Sequence, residues 1–289
     1  MRLRCAALIL GWAIAGVLLP LCSAQKIPPP PASSAARMLL LPRRIVSGER
    51  ATLAVLDGNG RLTPDVTVTF SNGDHVKTDA TGRALFVAPL NPGVIFGSIE
   101  GRPGRVPTVI LTPSEAATSS IEVNLAPREA SLVDRFELLG KGFCGDADSN
   151  QVKVAGRLAL VLASSPASLT ILPPSDLEPG QSLVETTCVN RQAHPFSLSL
   201  LQLELDADSS PLKPGAHRTL TVHVLGSTAK VSLEARNLAP GVASLVGGNP
   251  TTASSSGGRE NSARFELIGR KSGSFQISIR LVPTFSPPQ

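Results

Sequence analysis

The sequence predicts an all-β protein built from three tandem β-sandwich domains. Short apolar runs with an alternation period of two, such as residues 66–70 (VTVTF), are typical of half-buried strands. Turn residues such as Asp-Gly-Asn-Gly at residues 57–60 separate these runs. Residues 48–55 match residues 215–222 in Gly, Thr, Leu and Val at an offset of 167, which indicates an internal repeat about two small domains apart.

Residues 1–24 have the features of a secretory signal peptide. Arg2 and Arg4 precede an apolar run at residues 6–19, and small residues stand directly before Gln25. We therefore expect export to the periplasm, the cell surface or the extracellular space, with cleavage before Gln25.

Two other fates of this leader stay open. Cys22 could receive a lipid, although Leu21 stands where a lipobox has a small residue. The second alternative is that the leader stays uncleaved as a membrane anchor, because residues 5–23 approach the length of a bilayer span. Pro20 interrupts this apolar run. With the leader removed, we predict no membrane span in the mature chain.

The charge distribution argues against a nucleic-acid partner. The 289-residue chain has a formal net charge of +5, and without Arg2 and Arg4 it has 25 basic against 22 acidic side chains, or +3. Basic residues occur singly or in pairs, without the dense stripe that neutralises phosphates. We predict no binding to nucleic acid.

The first predicted domain, residues 38–112, follows a Pro-rich tether at residues 25–37 that holds four consecutive prolines. Residues 66–89 (VTVTFSNGDHVKTDATGRALFVAP) resemble the invasin-type bacterial immunoglobulin-like (Ig-like) repeats, in which a TDATG-like turn follows a strand. The resemblance implies an Ig-like sandwich.

Acidic side chains in the turns of this domain suggest a cation site at first sight. Asp57, Asp74, His75 and Asp79 all lie in or beside these turns. Acidic residues next to glycine more commonly serve turn geometry and local hydrogen bonds, so we predict no metal here.

The second predicted domain spans residues 119–200. Its short apolar strands are separated by Gly-Lys-Gly-Phe at residues 140–143, Val-Lys-Val-Ala-Gly at residues 152–156 and Pro-Gly at residues 179–180. This order of turns and strands resembles an IPT/TIG Ig-like domain. The resemblance implies an architecture and no chemistry.

Cys144 and Cys188 are the two cysteines outside the leader, 44 positions apart, and in an exported chain they should form a disulfide. A thiol nucleophile would need a neighbouring base, and the nearest histidine downstream, His194, lies in a predicted turn. We therefore expect a structural disulfide.

An acidic cluster between the two cysteines imitates the start of a calcium loop. Asp146, Asp148 and Asn150 have the right spacing, but Gln151 stands where the loop needs glycine and Arg157 where it needs glutamate. We predict no calcium site.

The third predicted domain, residues 201–283, begins at a phase slip. Apolar residues fall on even numbers in residues 196–200 and on odd numbers in residues 201–205, so the strand must bulge or change sheets there. We predict a domain boundary without a linker. The Gly- and Ser-rich residues 247–258 are expected to form a mobile loop, and the tail, residues 284–289, to be frayed.

The sequence predicts no catalytic, cofactor-binding or metal-binding residue. Catalytic and phosphate-binding motifs are not found. His217 and His223 are six residues apart on one predicted strand, so they would be about 20 Å from each other and could not share a metal ion. The lone tryptophan, Trp12, is in the leader, and the chain has no Tyr.

We expect an exported, non-enzymatic structural or interaction protein of the cell envelope or extracellular space. Its partner would be an unknown protein or an envelope polysaccharide. A polysaccharide-binding accessory module or adhesin is the alternative, which the shortage of Trp and Tyr disfavours, because sugar sites and interface hot spots favour those rings.

Overall fold

The computed structural model describes residues 37–113, 120–206 and 210–288, which form strands joined by loops. The predicted signal peptide and most of the tether lie outside the described residues. Residues 36–289 form one compact unit. The chain is all-β, as the sequence predicts, and its strands assemble into three successive sandwiches, here called the first, central and third.

The first sandwich packs a sheet of order β1-β3-β6 on a sheet of order β2-β8-β7-β4-β5. Its strands are β1 (Met38–Leu40), β2 (Arg44–Val46), β3 (Arg50–Leu56), β4 (Thr67–Phe70), β5 (His75–Lys77), β6 (Arg83–Val87), β7 (Gly93–Ile99) and β8 (Val106–Leu111). The core between the sheets includes Ile45, Leu53 and Val68, each with 0% of its surface exposed.

The central sandwich has the order β9-β11-β14-β13 in one sheet and β13-β12-β15-β17 in the other. Its strands are β9 (Glu122–Pro127), β10 (Glu129–Ser131), β11 (Phe136–Lys141), β12 (Asn150–Val154), β13 (Arg157–Ser165), β14 (Ser168–Leu172), β15 (Gly180–Cys188), β16 (Arg191–Gln192) and β17 (Phe196–Asp206). A 3₁₀ turn, Ala147–Ser149, precedes β12. Strand β13 belongs to both sheets, because its first residues pair with β12 and its later ones with β14.

The third sandwich packs a sheet of order β17-β18-β22-β20 on a sheet of order β21-β19-β23. Its further strands are β18 (His217–Leu225), β19 (Ser232–Asn237), β20 (Ala243–Leu245), β21 (Thr251–Ser254), β22 (Ser262–Gly269) and β23 (Ile277–Val282), followed by β24 (Phe285–Ser286). The order β17-β18-β22-β20 corresponds to strands A, B, E and D of an Ig-like domain.

Strand β17 changes sheets at the predicted phase slip. Residues 196–200 pair with β15 of the central sandwich, and residues 202–206 pair with β18 of the third. Leu200 and Leu201 are both 0% exposed but lie in different cores. The two sandwiches therefore share one continuous strand.

Two expectations for the third part of the chain differ from the structure. Residues 247–258, predicted as a mobile loop, contain β21, which pairs with β19. The tail, predicted as frayed, contains β24, in which Phe285 lies opposite Pro127 of β9. The proline that follows Ser286 favours an extended backbone there, and an extended segment can satisfy the edge of β9.

Candidate binding site

The disulfide predicted from the sequence is present in the structure. Cys144 follows β11, Cys188 ends β15, and their Cα atoms are 5.7 Å apart. The bond therefore links the two sheets of the central sandwich. The buried Asn150 amide holds the loop around Cys144, because it donates to the Cys144 carbonyl at 2.8 Å and accepts from the Cys144 N–H at 2.9 Å. This disulfide is a structural element.

The carboxylates of Asp57 and Asp79, in turns of the first sandwich, accept hydrogen bonds from residues of their own loops. Asp57 accepts backbone hydrogen bonds from Arg61 at 2.9 Å and Asn59 at 2.8 Å, and these hold its pKa below the usual value. The Thr81 hydroxyl and N–H donate to Asp79 in the same way and lower its pKa. Both carboxylates therefore serve turn geometry.

The remaining ligand-like residues named from the sequence are dispersed. Asp146 accepts from the Asp148 N–H at 3.0 Å and caps the 3₁₀ turn. His217 pairs through Nδ1 with Glu266 at 2.6 Å, whereas His223 lies opposite Glu204 on β17. Within the part of the chain that the structure describes, no three His, Cys, Asp or Glu side chains come together as metal ligands.

The first and central sandwiches meet through a polar contact that the sequence did not reveal. Thr52 on β3 lies opposite Ser164 on β13 and links the two sheets. The Thr52 hydroxyl donates to the Gly145 carbonyl at 2.9 Å, and the Ser164 hydroxyl donates to the same oxygen at 2.8 Å. A Cβ atom at Gly145 would lie 1.9 Å from the Arg50 carbonyl oxygen, so the two backbone segments approach each other too closely for a side chain to fit.

Apolar and ionic contacts extend this junction. A small core joins β1 and β3 of the first sandwich to β13 of the central one, and it consists of Leu40, Ala54, Leu56, Leu162 and Ala163. The Arg83 side chain, 12% exposed, contacts Asp148 at 2.8 Å and donates to the Val161 carbonyl at 3.2 Å. One signal was available in the sequence: residues 51–56 (ATLAVL) are apolar on both faces, which favours a strand covered on both sides.

A cleft of about 480 Å³ lies where all three sandwiches meet, and we call it the junction cleft. The first sandwich contributes Pro107, the third contributes Leu281, and the tail contributes Phe285. Its charged lining residues are Arg43, Glu129, Asp134, Arg135, Glu137, Glu234 and Arg280. The sequence did not predict this site, because its residues come from distant segments that meet only through the strand exchange at β17 and the return of β24.

Burial raises the pKa of two carboxyl groups in the junction cleft. It raises the pKa of Glu137, although Arg43, whose Nη1 lies 3.7 Å from the carboxylate, and Arg135 act in the opposite direction. Burial likewise raises the pKa of Glu129 against the effect of Arg128. Partly desolvated carboxylates interact more strongly with an incoming donor than fully hydrated ones do.

The junction cleft is equipped for polar binding. Arg280 forms a two-point contact with Glu234, at 2.7 Å and 3.0 Å. The Arg43 guanidinium lies 5.8 Å from the centroid of the Phe285 ring and covers its face. Among the described residues that line the cleft there is neither His nor Cys. The arrangement can hold charged groups of a ligand.

No helix in the described segments is long and apolar enough to cross a bilayer.

The sequence matches no known protein family, and no curated protein is similar to it. Similar solved structures include SGBP-B of the Bacteroides ovatus mixed-linkage glucan utilization locus, in complex with a heptasaccharide, with 12% identity, a TM-score of 0.28, and coverage of 83% of this chain and 72% of that one. A Dscam structure has 12% identity, a TM-score of 0.26, and coverage of 84% and 74%. Fibronectin(III)-like modules of Clostridium thermocellum CbhA have 14% identity, a TM-score of 0.19, and coverage of 57% and 93%. The Ig-like fold class of this chain rests on its own strand order.

Proposed function

We propose that this protein is an exported, non-enzymatic structural and interaction protein of the cell envelope or extracellular space. The observation that carries the proposal is that neighbouring sandwiches are joined by paired strands. Strand β17 belongs to both the central and the third sandwich, and Thr52 of the first sandwich pairs with Ser164 of the central one. Such joints fix the spacing of surfaces, which suits a protein that positions partners.

The three sandwiches would act as the domains at residues 38–112, 119–200 and 201–283. The shared cleft where they meet would be the partner site. Its mixed charges and its covered Phe285 ring favour a protein partner over a polysaccharide, because sugar sites use open aromatic faces. The IPT/TIG and invasin-type resemblances remain predictions from the sequence.

The disulfide supports export, because such bonds persist in oxidising compartments. Intact-mass analysis of protein recovered from its native envelope or medium tests the export step. We expect a chain that begins at Gln25. A chain that begins at an acylated Cys22 would indicate a lipoprotein, and one that retains Trp12 and the whole leader would contradict cleavage.

A charge-reversal variant tests the partner site. We expect Glu137→Lys combined with Arg280→Glu to abolish capture of a specific envelope protein by the purified chain, because both residues line the junction cleft. Lys153→Glu, on the exposed side of β12, is the matched control and should leave capture unchanged. Binding to a glycan array that the cleft variant loses would contradict the protein partner in favour of polysaccharide.

A further inference from the structure

The third sandwich has an open position that the other two fill. In the first sandwich β7 lies between β4 and β8, and in the central sandwich β15 lies between β12 and β17. The corresponding strand of the third sandwich, β23, pairs with β19 and with no other strand of the described residues. The chain then leaves this sandwich, because β24 pairs with β9 of the central one.

Burial shows the same difference. The core-facing residues Ile95 and Ile99 of β7 are 8% and 7% exposed, and Val184 of β15 is 0% exposed. The core-facing residues of β23, in contrast, are all only partly buried: Ile277, Ile279 and Leu281. A strand beside β23 would cover them.

In the opposite sheet of the third sandwich, the edge strand β17 is also incompletely covered, on the same side as β23. Strand β10, which pairs with β17, also contacts β23, so β17 and β23 border the same side of the third sandwich. Along β17, Leu201 is buried, Leu203 is partly buried and Leu205 is 53% exposed. We call Leu203, Leu205 and the three core-facing residues of β23 the open edge.

The backbone of β23 is suited to strand addition. It runs in uninterrupted register with β19, from Ile277 opposite Asn237 to Val282 opposite Ser232. Edge strands are commonly protected by short length, charge, proline or a bulge. Strand β5, at the edge of the first sandwich, is three residues long with His75 and Lys77 exposed, whereas β23 has six residues and its lone charge, Arg280, is bound to Glu234.

We propose that the open edge binds an extended strand of a partner protein, which adds beside β23 and inserts apolar side chains at alternate positions. The strand that fills the equivalent position in the central sandwich indicates which side chains such a partner strand would carry. In the central sandwich the equivalent place is filled by Phe196, Leu198 and Leu200 of β17, with serines between them. Main-chain hydrogen bonds would supply affinity and the alternating side chains specificity. The site deepens the proposed function, on which it rests.

The probe for this site is a dye-labelled peptide that copies residues 195–201 (PFSLSLL). A second peptide, N-methylated at the backbone amides of Leu198 and Leu200, has the same side chains but lacks two donors on the pairing side. In β17 the Ser199 N–H donates to the Arg128 carbonyl, away from β15, so the neighbouring leucine N–H groups face β15. We expect saturable binding of the first peptide alone, with slower amide hydrogen exchange across β23 and unchanged exchange in β5. Ile279→Lys should abolish this binding, and Ser278→Lys, on the outer face of the same strand, should preserve it.

Several outcomes would overturn the proposal. They are the absence of saturable binding to correctly folded protein, equal binding of both peptides, and slowed exchange in β15 instead of β23. Self-association that protects β23 without peptide would identify a second copy as the occupant. A negative result here leaves the junction-cleft capture unaffected, so failure of this site and failure of the proposed function are distinguishable.

Discussion

At the residue scale, the disulfide between Cys144 and Cys188 constrains the central sandwich. The disulfide closes a loop of 44 residues, which in the chain-entropy treatment stabilises the fold by about 4 kcal/mol. We expect Cys144→Ser combined with Cys188→Ser to lower the unfolding free energy by about that amount in urea titrations followed by circular dichroism. The variant should be insensitive to reductant. Two freely alkylatable thiols in folded, exported wild-type protein would contradict the bond.

Glu137 makes the stability of the protein depend on pH. Burial is the largest influence on its pKa and raises it above the usual 4.5, so the folded state holds this proton more tightly than the unfolded chain. The carboxyl therefore favours folding at pH values below 4.5, and that contribution is lost as pH rises through the raised pKa. Relative to Glu137→Gln, the wild type should lose stability between about pH 4 and about pH 7.

Urea midpoints at those two pH values measure this difference. Asp57→Asn is the control with the opposite sign. Hydrogen bonds lower the pKa of Asp57 below 3.8, so its contribution is complete above that value and is lost as pH falls through the lowered pKa. Relative to Asp57→Asn, the wild type should keep its stability or gain slightly from about pH 4 to about pH 7, and should not lose any. A constant difference for Glu137→Gln would contradict its burial.

At the element scale, the contact between β3 and β13 depends on the loop at Gly145. The Cβ of an alanine there would lie 1.9 Å from the Arg50 carbonyl oxygen, and the backbone would have to move. We expect Gly145→Ala to cost about 1–3 kcal/mol, with faster amide exchange in β3 and β13 and unchanged exchange in β22. Thermal unfolding and exchange measure these effects.

The matched control is Gly241→Ala. A Cβ atom at that position would lie no closer than 3.9 Å to the Lys271 side chain, so the substitution should be tolerated. Equal thermal stability of Gly145→Ala and wild type would contradict the close approach of the two sandwiches.

The elements show what sequence patterns predict and what they miss. The phase slip at Leu200-Leu201 predicts the sheet change of β17, because side-chain period and sheet face are locally coupled. The sequence pattern does not show that β13 passes from one sheet of the central sandwich to the other. Residues 159–163 are apolar on both faces, so no change of alternation marks the point where it does so. The pairing of β24 depends on an edge about 160 residues earlier in the chain, and local pattern does not encode a partner at that distance.

The disulfide and the junction cleft differ in how far the sequence predicts them. The sequence predicts the disulfide, because compartment and cysteine count suffice for it. It does not predict the junction cleft, since Arg43, Glu137 and Arg280 acquire a common environment only when three sandwiches meet. Single charges on strands give no sign of which other strand will lie beside them.

At the scale of the whole molecule, paired strands take the place of linkers. Central and third sandwiches share β17, and β24 returns from the third to β9 of the central one. The pairing of Thr52 with Ser164 joins the first to the central. These joints fix the orientation of each sandwich relative to the next.

Residual dipolar couplings of strand amides test this claim most directly. In a weakly aligned sample, couplings from β1–β8, β9–β16 and β18–β23 should fit one alignment tensor with a single magnitude and orientation. Three tensors of different magnitude would show that the sandwiches move independently, and would contradict the account.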